Sequence, residues 1–284
     1  MSDSPAPAAP ATGGVSNVTH IVAVASGKGG VGKSTVSSNL AVALAARGLR
    51  VGLMDADIYG PSVPLMFGVP PDEKPRVNDA REVVPLVRYG VSLLSMGFLT
   101  DDRRAVIWRG PMVSSAIRQF FGQAAWGELD VLVLDLPPGT GDIQLTIVQT
   151  VPLAGAVLVT TPQPVAVADA RKAVAMFGQV DVPILGVAEN MSYFTPPDLP
   201  DRRYALFGEG GGRALAEEAG VPLLAEIPLE QAAREAGDAG VPVVLREPDG
   251  PAARAFEALA TGVMDALERR KGEPQAPPVE ILYR

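Results

Sequence analysis

The sequence contains no cysteine in its 284 residues. Disulfides, thiolate metal sites, thiol nucleophiles and dithiol redox pairs are all excluded by that absence. A thiol-free chain of this size suits the cytoplasm. Positive charge is not in excess either: 24 Lys and Arg stand against 32 Asp and Glu, a net charge of −8. A general binder of nucleic-acid backbone needs a basic face, so no nucleic-acid partner is expected. No apolar run approaches the ~18–20 residues of a membrane span. The richest stretch, Val151 to Val159, is interrupted by Pro152. No membrane partner is expected. No internal repeat is visible. The segment Met1 to Gly14 is rich in Ala, Pro, Ser and Gly and lacks a basic region ahead of an apolar one. It reads as a tail and not as a signal peptide.

What is present describes a globular α/β protein. Hydrophobic residues make up 47% and charged residues 20%, which is not the composition of a disordered chain. The 30 glycines and 27 prolines exceed the usual rate and suit turns between elements. His20 to Ala25, Arg50 to Asp55, Val91 to Met96, Val131 to Asp135, Ala156 to Thr160, Pro183 to Val187 and, more weakly, Val221 to Ala225 read as buried strands. Amphipathic stretches lie between them: a helix through Val36, Leu40 and Leu44 stopped by Gly48, then Met112–Gln123, Asp142–Val151, Val165–Phe177, Arg213–Ala219 and Glu230–Ala236. A last helix follows Asp249-Gly250-Pro251, with Phe256, Leu259, Ala260, Val263 and Leu267 as its apolar stripe. Continuous apolar strands separated by helices predict a mostly parallel central sheet covered by helices on both faces. One domain is expected over 17–271, with a disordered tail at 1–16 and a second tail at 272–284.

The strongest local signal is Gly27-Lys28-Gly29-Gly30-Val31-Gly32-Lys33-Ser34-Thr35. It carries the G-x-x-x-x-G-K-[ST] pattern directly after a strand and directly before a helix, the context of a phosphate-binding loop. Glycines let successive backbone N–H groups turn inward toward phosphate oxygens, and the helix start adds its positive end. Lys33 is expected to reach the β- and γ-phosphates, and Ser34 to offer its hydroxyl to Mg²⁺. Asp55 and Asp57 follow the second strand, and Asp135 ends the strand Val131-Leu-Val-Leu-Asp135. Carboxylates at strand ends beside such a loop are the partners that phosphoryl transfer requires.

The second lysine of the loop, Lys28, gives Lys28-Gly-Gly-Val-Gly-Lys33. That stretch resembles the deviant phosphate loop of the MinD/ParA/nitrogenase-iron-protein NTPases. The resemblance implies a homodimer sandwiching two ATP, with Lys28 acting across the interface on the partner's nucleotide. It places Asp57 in a first switch loop, orienting the attacking water and approaching Mg²⁺. It makes Asp135 a Mg²⁺ partner through water, and Leu136-Pro-Pro-Gly139 a second switch whose Gly139 turns its N–H toward the γ-phosphate. Catalysis would thus rest on Lys28, Lys33 and Asp57, and the metal on Ser34, Asp57 and Asp135.

Further segments narrow the resemblance: Asp57-Ile-Tyr-Gly-Pro-Ser62, Trp108-Arg-Gly-Pro-Met112, Asp135-Leu-Pro-Pro-Gly-Thr-Gly-Asp142, Val159-Thr-Thr-Pro-Gln163, Glu189-Asn-Met-Ser192, Phe207-Gly-Glu-Gly-Gly-Gly212, Ile227-Pro-Leu229 and Arg234-Glu-Ala-Gly-Asp238. From about Thr19 to Ala260 the chain resembles the Mrp/ApbC ATPases. The resemblance implies a cytoplasmic, homodimeric ATPase that acts in iron–sulfur cluster assembly or transfer to apoproteins. It gives Asn190 the adenine contact, which favours ATP, and gives Asp142 and Gln144 a part in shaping the second switch. The tail before Asn17 is expected to leave no room for the additional N-terminal domain of some relatives.

One departure matters. Many members of that family carry a CxxC between the segments matching Glu189–Ser192 and Phe207–Gly212. Here the interval runs from Tyr193 to Leu206 without a thiol, and the only histidine is His20. Cluster iron is normally held by Cys, with His as a limited substitute. Any cluster would therefore be held without the chain's own cysteines. Asp198 and Asp201 could meet a hard cation, although solvated loop carboxylates are the simpler reading. A MinD/ParA-like positioning or regulatory switch is the alternative function, and a nitrogenase-reductase-like electron carrier is disfavoured by the missing thiolates.

Overall fold

The computed structural model describes residues 14–99 and 110–272. Trp108 and Arg109 of the Trp-Arg-Gly-Pro-Met segment, most of the expected N-terminal tail and the chain beyond Gly272 lie outside the described residues. The elements in chain order are β1 (Val18–Ser26), α1 (Lys33–Ala46), β2 (Val51–Asp55), α2 (Val63–Met66), β3 (Arg76–Val77), β4 (Val83–Val84), β5 (Leu86–Arg88), β6 (Val91–Ser95), α3 (Gly110–Gln123), β7 (Leu129–Asp135), α4 (Asp142–Thr150), β8 (Gly155–Thr160), α5 (Pro164–Gln179), β9 (Ile184–Asn190), α6 (Gly211–Ala219), β10 (Leu223–Ile227), α7 (Gln231–Asp238), α8 (Val243–Arg246) and α9 (Pro251–Arg269).

The main sheet has the order β10-β9-β8-β1-β7-β2-β6-β5. Every pairing in it is parallel except β5 with β6. Strands buried on both sides read as unbroken apolar runs, and successive side chains still point to opposite faces. Val22 and Val24 of β1 join one apolar cluster, whereas Ile21, Ala23 and Ala25 join the other. On the first face lie α1, α8 and α9, bringing Leu40, Leu44, Val244, Phe256, Leu259 and Val263. On the second lie α3 to α6, bringing Ile117, Phe121, Ile147, Phe177 and Leu215. Phe256 is fully enclosed, and truncating such a side chain to Ala costs about 3–5 kcal/mol.

Helix α1 is apolar or small around most of its circumference, from Val36 through Leu44, as a helix pressed between a sheet and another helix must be. It ends where Gly48, at φ 84°, donates its N–H to the Ala45 carbonyl. Two regions differ from the sequence expectation. Gly14 to Ser16, assigned to the tail, pack on the end of α3, with the Gly14 N–H donating to the Ala124 carbonyl at 2.9 Å. The stretch between β2 and β6 holds α2, the β3–β4 hairpin and β5, elements of two to four residues that are too short to leave a periodic signal.

Candidate phosphate and nucleotide site

The site is built at the carboxyl ends of the parallel strands, where β1 passes to α1 on one side of β7 and β2 lies on the other. Open α/β sheets place ligands at such crevices. The loop after β1 carries Gly27 to Gly32, and α1 begins at Lys33. Gly27 is required by packing: a Cβ there would lie 2.1 Å from the backbone carbon of Asp169 in α5. At Gly32, φ is 80° and a Cβ would meet the Asn190 side-chain nitrogen at 2.2 Å. Lys28, Gly29, Gly30, Val31, Gly32, Lys33, Ser34 and Thr35 line one open cleft together with Asp57, Ser62, Met66 and Pro138. Lys28 is half-buried, and its ammonium has no partner among the described residues.

Asp135 is the hub of the cleft floor. Lys33 Nζ donates to its Oδ1 at 2.7 Å, Ser34 Oγ to its Oδ2 at 2.6 Å and Ser37 Oγ to its Oδ1 at 2.6 Å. Both charged groups are buried, with 6% and 0% of their side chains exposed. Ser37 was not singled out from the sequence, although its spacing four residues after Lys33 puts it on the same face of α1.

Asp55 ends β2 in register with Asp135 at the end of β7. Burial pushes the Asp55 carboxyl well up, and the neighbouring Asp135 carboxylate adds to this. Opposing them are the Ser95 hydroxyl at 2.9 Å and the Asp57 N–H at 3.1 Å. Asp55 also accepts from the Val63 N–H at 3.3 Å, so it braces the loop that carries Asp57. Asp57 reaches the cleft, and its Oδ1 accepts from the Tyr59 and Gly60 N–H groups, each at 3.2 Å. Gly139 donates its N–H to the Ser26 carbonyl at 3.0 Å. It must leave that bond before it can face a phosphate. Asp142 and Gln144 begin α4 beyond it. Gln144 is buried, and neither polar atom of its amide has a partner among the described residues.

Asn190 ends β9 and donates to the Val31 carbonyl at 2.8 Å. It opens onto a second cavity that shares Gly32, Thr35 and Met66 with the cleft and is lined further by Met191, Pro228, Leu229, Arg234 and Asp238. An apolar slot with a few polar groups fits a planar base. Its walls come from segments far apart in the chain, so no local pattern announced them. The donor set around Ser34, Asp57 and Asp135 is hard oxygen, which fits Mg²⁺. Among the described residues no three His, Asp or Glu converge to hold a metal on their own.

The Tyr193–Leu206 interval is a closed hairpin. Phe194 and Tyr204 exchange backbone bonds at 2.9 and 2.8 Å, and the Arg203 guanidinium lies 4.1 Å from the Tyr193 ring centre. Asp198 and Asp201 are exposed. His20 sits at the start of β1, paired with Val131 in the middle of the sheet and not at its edge. It is far along the strand from the cleft. Among the described residues no helix is long and apolar enough to cross a membrane.

Comparison with known proteins agrees with this geometry. A family profile described as "ParA: NUBPL iron-transfer P-loop NTPase" matches residues 17–264. An iron–sulfur cluster carrier protein of Synechocystis is 54% identical over 248 residues, which are 87% of this chain and 70% of that protein. Among solved structures, the nucleotide-binding protein of Archaeoglobus fulgidus in complex with ADP superposes with a TM-score of 0.74 at 39% identity, covering 85% of this chain and 93% of that one. The septum site-determining protein MinD of Pyrococcus horikoshii, complexed with Mg-ADP, gives a TM-score of 0.64 at 25% identity, over 90% of this chain and 100% of that one.

Proposed function

Since the chain belongs to the ParA-type family of NUBPL iron-transfer P-loop NTPases, we propose that it binds and hydrolyses ATP with Mg²⁺ in the cytoplasm and uses that cycle to pass iron–sulfur clusters to apoproteins. The observation that carries the nucleotide reading is the Lys33–Ser34–Ser37 convergence on Asp135 beneath the Gly27–Thr35 loop.

Phosphoryl transfer asks the protein mainly for positioning and charge. The loop amides and Lys33 hold the β- and γ-phosphates. Ser34, Asp57 and Asp135 would hold the cation, Ser34 and Asp135 giving up their mutual hydrogen bond to do so. When bound, Mg²⁺ supplies positive charge against the phosphate oxygens. Asp57 orients the attacking water, while Asp55 holds the Asp57 loop from beneath. Lys28, half-buried at the rim and without an ammonium partner among the described residues, serves the nucleotide of a second copy in a homodimer sandwiching two ATP. Asn190 selects the base.

The cluster is cargo, and the chain's own residues do not fit it. Iron of a cluster is held by thiolates, and this chain has none. A partner protein or an external thiol must hold it. The test is anaerobic transfer of a thiol-ligated cluster to an apoprotein, with and without ATP. Transfer accelerated by chain and ATP together is the expected result. A rate indifferent to ATP would sink the cargo half of the proposal.

A further inference from the structure

Met66 belongs to both cavities. It lines the phosphate cleft beside Asp57 and Ser62, and it lines the base cavity beside Leu65 and Asn190. It is the last residue of α2, which follows the Asp57 loop directly. The connection between them is short and tied at each step. The Tyr59 and Gly60 N–H groups donate to Asp57, the Val63 N–H donates to Asp55, and the Met66 N–H donates to the Ser62 carbonyl at 3.1 Å. Phe67 is fully buried behind α2, and the Ser38 hydroxyl points at the Met66 sulfur at 3.6 Å.

On its far side α2 rests on the turn after α7, the helix that brings Arg234 and Asp238 to the base cavity. The contact is backbone against backbone. A Cβ at Gly240 would lie 2.4 Å from Gly68 Cα. Such packing transmits a displacement with little give. The backbone under Met66, at one wall of the base cavity, is thus tied on one side to the turn after α7 and on the other, through Ser62 and Val63, to the chain that carries Asp57.

We propose that α2 is a relay that makes hydrolysis depend on the base: a base in the cavity fixes Met66, and Met66 holds the Asp57 loop in its working position. The inference rests on the ATPase reading above and adds to it a positioning residue. The Met66 thioether carries no acid, base or charge that phosphoryl transfer uses. Its flexible thioether can follow the base closely, and Leu, of similar volume, should do nearly as well.

The test combines steady-state ATP hydrolysis with backbone amide exchange over residues 57–62, for the parent, Met66→Ala and Met66→Leu. Met66→Ala should lower kcat about fivefold or more, the size of a modest coupling between sites, with KM little changed. Met66→Leu should retain most of the parent kcat. ADP should slow exchange over 57–62 in the parent, pyrophosphate alone should not, and ADP bound to Met66→Ala should not. An unchanged kcat with a raised KM would mean that Met66 is only a wall of the cavity, and the relay would be refuted. Equal slowing by ADP and pyrophosphate in the parent would refute it without any variant. A parent that binds no ADP would overturn the ATPase reading itself, a separate outcome.

Discussion

The buried pair Lys33–Asp135 allows a worked prediction for Lys33→Ala in the nucleotide-free protein. The two groups are 2.7 Å apart and almost wholly withdrawn from water. Removing one partner of such a pair typically costs about 3–5 kcal/mol, because a charge is left buried without its counter-charge. Asp135 would keep the Ser34 and Ser37 hydroxyls, both at 2.6 Å, so the low end of that range, about 3 kcal/mol, is expected. In a domain of this size each kcal/mol moves Tm by roughly 2–4 °C, giving a fall of about 6–12 °C. A second effect runs in parallel. ADP at a hundred times its Kd adds about 2.7 kcal/mol to the parent, and it should add nothing to a variant that has lost its phosphate contact. The assay is thermal unfolding of both proteins with and without ADP. Pairing the change with Asp135→Asn should recover part of the lost stability, since the orphaned charge is then gone. A nucleotide-free Lys33→Ala protein that melts with the parent would refute the claim that this pair is closed in the resting site.

Three other outcomes are expected. Gly27→Ala forces a methyl to within 2.1 Å of the Asp169 backbone, so it should cost about 1–3 kcal/mol by overpacking and weaken ADP binding, read by urea unfolding and calorimetry. Anaerobic reconstitution with iron and sulfide in thiol-free buffer should leave little cluster on the protein; stoichiometric acid-labile sulfide with cluster absorption would contradict the reading of the cysteine-free interval. His20 is held below the ordinary histidine value first by burial, with Glu268 opposing and Lys271 assisting. The folded state thus binds fewer protons, its contribution is present above about pH 6.5 and is lost as pH falls below it; His20→Gln should flatten that part of the urea midpoint against pH.

Long-range order was legible where local chemistry repeats it. The strands read from the sequence carry mostly apolar runs, and the Phe256–Leu267 stripe of α9 is buried as its spacing requires. The Gly27–Thr35 loop announced itself because phosphate binding needs glycines, a lysine and a hydroxyl at fixed offsets within one turn. Ser37 needed only helical spacing from Lys33 to be found. The resemblance singled out Asn190 and the Ile227–Leu229 and Arg234–Asp238 segments, but not that they share a cavity with Leu65 and Met66, because these meet only after the sheet is assembled. Nor was Gly139's bond to Ser26 legible, since it depends on the register between β1 and β7. The short β3–β4 hairpin and β5 fall below the length at which alternation can be read. The missing thiols were plain from the start, yet their weight comes from structure. The Tyr193–Leu206 interval, where the resemblance implies a CxxC, is here a hairpin closed by Phe194 and Tyr204, with no substitute donor set among the described residues.

Phosphate release from ATP by the purified parent, measured beside Asp57→Ala with Mg²⁺ present, tests the central claim most directly. The parent should turn over, and Asp57→Ala should bind ADP as the parent does while releasing phosphate at least about a hundredfold more slowly, the scale of a lost water-positioning group. Equal rates in the two proteins would remove Asp57 from the mechanism, and no release by the parent would contradict the assignment of an ATPase.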